Sequence, residues 1–166
     1  MVEGEEGMTL GTKGKTVLVI IAVVAAFILI KYLLVSDEAR IKKVIYKGKA
    51  AIEQEDFEGA LTLVSRDYQD EYGLNKMAIA ALLKRLYAQF DDIKIYVEWM
   101  EVEILEKGVG QAAILTWVTA QWGEDVGYIV GNAEIPRRVV FTLAKEGKNW
   151  RVVKTEGVEP EEEFLP

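Results

Sequence analysis

Residues 93–104 read IKIYVEWMEVEI, and their apolar residues recur with a period of two. Ile93, Ile95, Val97 and Trp99 alternate with Lys94, Tyr96 and Glu98, as in a β-strand with one buried face. The phase then slips: Met100, Val102 and Ile104 are apolar, while Glu101 and Glu103 are polar. A one-residue slip turns a buried set of side chains outward, so a strand that keeps its inner face must accommodate an extra residue. We therefore expect a β-bulge at Trp99 to Glu101. Such a bulge bends a long strand and helps a sheet to curl.

Strands continue downstream. Lys107-Gly108-Val109-Gly110 reads as a turn. Gln111 to Trp122 reads as a strand with Ile114, Val118 and Trp122 on one face and Leu115 and Trp117 on the other. Apolar residues on both faces predict a central strand covered on both sides. Gly123 to Pro136 is a long connection in which Tyr128 to Val130 can form a short strand. Arg137 to Lys145 and Lys148 to Thr155 pair as a hairpin about Glu146-Gly147.

Upstream the period changes to that of a helix. Ile41, Val44, Ile45 and Ile52 form one stripe with Gly48 among them, and Lys42, Lys43, Lys47 and Lys49 fall opposite. Ser36 is placed to cap this helix, with Asp37 and Glu38 in its first turn. Asp56 caps a short helix whose Phe57, Ala60, Leu61 and Val64 face inward. Asn75 caps a third, in which Ile79, Leu82, Leu83, Leu86, Tyr87 and Phe90 share a face. The fold class expected is α+β, three helices packed on a curled antiparallel sheet.

Ahead of this domain lies VLVIIAVVAAFILIKYLLV, Val17 to Val35, with Lys31 its only charge. As a helix it spans roughly 28 Å, close to the thickness of a bilayer's hydrocarbon layer. No small-residue cleavage site follows, which argues against a removable signal peptide. The organisation expected is a polar tail at 1–15, a transmembrane helix at 16–35, the folded domain at 36–157 and an acidic tail at 158–166. The count of Lys and Arg flanking the span favours a cytoplasmic domain. The short N-terminal tail, by analogy with single-span proteins of the bacterial inner membrane, favours an extracytoplasmic one, and that is the side we expect. Lys42, Lys43 and Lys47 form a membrane-proximal basic face.

Composition excludes several chemistries. The 166 residues include no Cys and no His. That removes disulfides, thiolate and imidazole metal sites, Cys nucleophiles and the Ser-His-Asp triad. Three Lys and three Glu precede Ser36, so the net charge of −7 belongs wholly to the part that follows. So acidic a body does not suit nucleic acid, and no nucleic-acid partner is expected.

The order of elements resembles the nuclear transport factor 2-like (cystatin-like α+β cone) superfamily. Two stretches sharpen the likeness: LVSRDYQDEYG, Leu63 to Gly73, and RVVFTLAKEGKNWRVV, Arg138 to Val153. The first is similar to the family's approach to its third helix, the second to its last hairpin. The resemblance implies a cone whose members include isomerases, dehydratases, polyketide cyclases, transport adaptors and membrane-anchored scaffolds. The tail, span and single domain are most similar to the anchored scaffolds, such as the type IV secretion inner-membrane subunit. With no Cys and no His in the chain, no cofactor and no metal are expected. The partners expected are the lipid bilayer and other membrane-complex proteins or a second copy.

The alternative is a small apolar ligand, or isomerase-like or dehydratase-like catalysis, in the cone. Asp67 and Tyr68 are then the candidate acid–base pair, because an Asp buried beside Tyr can act as a general base. The stronger reading of the pair is structural, with Tyr68 packed in the core and Asp67 capping a turn or helix end. Tyr68, Tyr72, Trp99, Trp117 and Trp150 are candidates to line a cavity, or else to fill the core. Glu98, Glu101 and Glu103 read as a solvated sheet edge rather than a site for a hard cation.

Overall fold

The long bent strand is present, with five strands following three helices over residues 36–158 of the computed structural model. The residues it describes are 17, 20–25 and 36–158. Residues 17 and 20–25 are helical and exposed. Most of the 16–35 span and the 158–166 tail lies outside the described residues. Among the described residues no helix is long and apolar enough to cross a membrane.

Helix α1 (Asp37–Glu53) buries Ile41, Ile45 and Ala51. Helix α2 (Phe57–Thr62) starts at Asp56, whose side chain accepts a hydrogen bond from the Gly59 N–H at 2.9 Å. Val64, expected within this helix, lies past its end and bridges Val152 in parallel. Backbone donors explain the change. The Ser65 N–H donates to the Val152 carbonyl at 2.8 Å and the Val152 N–H to the Leu63 carbonyl at 2.9 Å. Helix α3 (Lys76–Gln89) is capped by Asn75, which accepts from the Met77 and Ala78 N–H groups, each at 3.0 Å. Phe90 falls just beyond it in extended conformation.

The strands are β1 (Asp91–Glu106), β2 (Val109–Trp122), β3 (Asp125–Val130), β4 (Arg137–Glu146) and β5 (Asn149–Glu156). They pair antiparallel in the order β1-β2-β4-β5. Strand β4 runs beside residues 109–116 of β2, and β3 beside residues 118–122. Val97 faces Thr116 while Trp99 faces Leu115, so the extra residue is Glu98, earlier than the expected Trp99 to Glu101. The displacement has a consequence. Trp99 was expected on the face of Val97; it turns to the opposite face and is 44% exposed. Strand β2 is central, as expected, but its outer face has no second layer over it among the described residues. Leu115 and Trp117 there are half-buried beside their cross-strand neighbours, and Trp117 stacks on Tyr96 with centroids 5.2 Å apart.

The core sits between the first turns of α1 and the middle of the sheet. Ile41 and Leu143 are wholly buried, joined by Ala112, Val139 and Trp150. Gly110 makes this close approach possible. A Cβ there would lie 2.6 Å from Ile41 Cδ1 and 3.0 Å from the Glu103 carbonyl.

Candidate functional site

Packing loosens along the second half of α1. Ile45, Gly48 and Ile52 of α1, Leu63 and Val64 after α2, and Ile79 and Leu83 of α3 stand around a gap. Ile95, Val97, Ile114, Phe141 and Val152 close it from the sheet, leaving a cavity of about 220 Å³. Gly48 contributes by omission. The nearest atom to a Cβ at that position would be Leu63 Cδ1 at 3.6 Å, so the helix presents a hollow where another residue would present a side chain.

Three polar side chains reach this wall: Lys49, Tyr68 and Thr155. Lys49 donates to Glu53 Oε1 at 2.6 Å, and the same oxygen accepts the Ile95 N–H at 2.8 Å. The ammonium is therefore neutralised beside its own helix. Tyr68 is only 4% exposed, and its hydroxyl donates to Asp70 Oδ2 at 3.5 Å, a long bond. Burial pushes the Tyr68 phenol up; a hydrogen bond with Thr155 opposes this and the Asp70 charge adds to it. Tyr68 thus keeps its proton at neutral pH and can donate. Asp70 is tied to its turn, its Oδ1 accepting from the N–H groups of Tyr72 at 2.9 Å and Leu74 at 2.8 Å.

Of the residues expected at a cavity, Tyr68 lines it and the others lie elsewhere. Asp67 is exposed, its N–H donating to Ser65 Oγ at 3.0 Å, so it does not stand beside Tyr68 in the interior. Tyr72 is exposed. Trp99 and Trp117 are on the outer face of the sheet. Trp150 is buried at the packed end of the domain, with its indole N–H donating to Asp37 Oδ1 at 3.2 Å. Lys42, Lys43 and Lys47 are exposed on α1. Glu98, Glu101 and Glu103 are exposed, and among the described residues no cluster of acids is arranged to hold a metal ion. Sequence reasoning missed Lys49 and Thr155. The lone glycine in an otherwise aliphatic stripe was the legible sign of the hollow.

No protein-family model matches the chain, and no curated protein matches it. Solved structures do. Bd1075 of Bdellovibrio bacteriovorus aligns over 72% of this chain with a TM-score of 0.58 and 14% identity. This chain spans only 40% of that protein. A provisionally assigned aromatic-ring hydroxylase from Novosphingobium aromaticivorans aligns with a TM-score of 0.62 and 13% identity, over 75% of this chain and 90% of its own. A nuclear transport factor 2-like protein of cystatin-like fold from the same organism gives 0.58 and 18%, over 84% and 95%. At these identities the likeness is one of fold. The domain has the nuclear transport factor 2-like, cystatin-like fold, a curled antiparallel sheet with helices against it.

Proposed function

We propose that this domain is a receptor for a small, neutral, apolar molecule, held at a membrane by the Val17–Val35 segment. The observation that carries the reading is the cavity of about 220 Å³, whose wall is almost wholly aliphatic and aromatic. Ligand sites are typically apolar hollows with a few polar groups that orient the guest. Here those groups are a protonated phenol, a hydroxyl and an ammonium already paired with Glu53. None of them calls for a charged ligand. An engineered apolar cavity of about 150 Å³ takes benzene, so this one suits a bicyclic ring or a chain of about eight carbons. Catalysis would need a base facing the guest, and the carboxylates of Asp67 and Asp70 are not in the wall. The hydroxylase among the structural neighbours therefore lends the fold, and binding is the better reading here.

Fluorine NMR of fluoronaphthalene with the full chain in lipid nanodiscs tests this. The expected result is a saturable bound resonance that Gly48→Leu abolishes by filling the hollow. Lipid partition alone, unsaturable and the same in both proteins, defeats the reading.

A second reading, a scaffold module in a membrane complex, is favoured by the outer face of the sheet. Tyr96 and Trp99 are each 44% exposed there and Tyr128 is 54% exposed. Exposed aromatics gathered on one face mark interaction surfaces. The occupant we infer is a second copy, because Glu101 and Glu103 edge this face on β1 while Arg138 and Lys154 lie towards its other edge. A two-fold axis along the strands sets unlike edges against each other. Light scattering and crosslinking in membranes should then give a dimer that Trp99→Glu dissociates. A strict monomer without crosslinks overturns this reading.

A further inference from the structure

Helix α1 has two useful faces. The inner one, with Ile45, Gly48 and Ile52, is a wall of the cavity. The outer one presents Lys42, Lys43, Tyr46 and Lys47, all exposed. At 100° per residue, Lys43 and Tyr46 lie near the centre of this face, with Lys42 and Lys47 flanking it. The carboxylates of α1 are confined to its ends, at Asp37, Glu38 and Glu53. Asp37 is already held by Lys145 at 3.1 Å, and Glu53 by Lys49 at 2.6 Å. Among the described residues none of the three outer lysines is in an ion pair with a carboxylate. A chain of net charge −7 thus carries a cationic face with an aromatic at its centre.

The helix begins at Asp37, and the apolar stretch that reads as a membrane anchor ends at Val35. We infer that the outer face of α1 lies flat on anionic lipid headgroups, with Lys42, Lys43 and Lys47 over phosphates and Tyr46 at the interface. Two observations select this occupant. One is charge: a negative bilayer attracts three lysines that no carboxylate of the described residues pairs with and repels the rest of a body of net charge −7, so this face is the one turned to the lipid. The other is position. A helix starting two residues after an anchor has its first turns at the headgroups. The anchor then makes docking intramolecular, so a weak patch suffices. Three lysines close to an anionic surface favour it over a neutral one by roughly a hundredfold. Docked in this way, α1 separates the cavity from the bilayer by one helix diameter, about 10 Å.

The inference rests on the anchor, and its test separates the two. The chain has no Cys, so an Ala50→Cys variant takes a single fluorophore. Residue 50 lies about 20 Å along the helix from Asp37, near headgroups only if α1 lies flat. Full-length protein is reconstituted into vesicles carrying headgroup-attached spin labels, and quenching is read with and without phosphatidylglycerol. Strong quenching is expected with the anionic lipid. It should fall at least threefold in pure phosphatidylcholine and in a K42Q/K43Q/K47Q variant whose fold is verified by circular dichroism. Quenching indifferent to lipid charge or to the triple variant overturns the docking, as does an unquenched label. Flotation with vesicles in high salt reads the anchor alone. A chain that floats with an unquenched label loses only the docking; one that does not float loses the anchor and the docking together.

Discussion

The two ends of the cone's interior are built from the same residue types and packed to opposite results. At one end Ile41, Leu143 and Trp150 are buried and interlocked, and Gly110 lets helix and sheet come so close that a Cβ would collide. At the other, Gly48 leaves a hollow, and α3 lays its stripe over it without fully burying a single residue. A glycine on the sheet closes the interior and a glycine on the helix opens it. Stability is concentrated at the first end, which frees the second to remain unfilled.

The contrast is sharpest for one substitution made at each end. Leu143→Ala removes a fully buried side chain and should cost about 2–5 kcal/mol, whereas Leu83→Ala beside the cavity should cost less than about 2 kcal/mol. Equal losses in urea melts erase the distinction. Gly110→Ala pushes against Ile41 and the Glu103 carbonyl, and a loss of about 1–3 kcal/mol is expected. At the open end the sign reverses. Gly48→Ala finds only Leu63 Cδ1 at 3.6 Å and gains helix propensity, so it should stabilise by about 1 kcal/mol. A destabilised Gly48→Ala means that end is already full.

The smallest effect concerns acid. Hydrogen bonds from Lys145 and Trp150 hold the Asp37 carboxyl below its ordinary value of 3.8. A lowered folded-state value gives stability that is present above 3.8 and lost as pH falls through the folded value. Asp37→Asn should therefore flatten the dependence of Tm on pH below about 4. A profile parallel to that of the unaltered chain removes Asp37 from the packed end's account.

Periodicity made most of the elements legible. The strand pattern of Ile93 to Ile104 held its phase slip in plain view, and Asp56 and Asn75 announced their helices by side-chain chemistry. What stayed hidden was tertiary. Val64 leaves its helix because the edge of β5 offers backbone partners, and no local pattern records that. The bulge fell at Glu98, and the shift reversed the face of Trp99. Apolar stripes identify an inner surface, but they do not say whether opposite surfaces meet. That is why Trp150 and Tyr68, alike candidates for a cavity, part company, one plugging the closed end and the other facing the hollow.

Strand β5 does not offer a bare flank, because residues 63–65 and the Gln69 N–H occupy its outer hydrogen-bonding positions. Among the described residues strand β1 pairs on one side only; Glu53 takes its Ile95 N–H, and Glu98, Glu101, Glu103 and Glu106 stand exposed along its length. Like charges deter a foreign strand from adding to such a border. That guard is a matter of ionisation, so strong acid disarms it. Fibrils grown from this protein should nucleate in acid and template along β1.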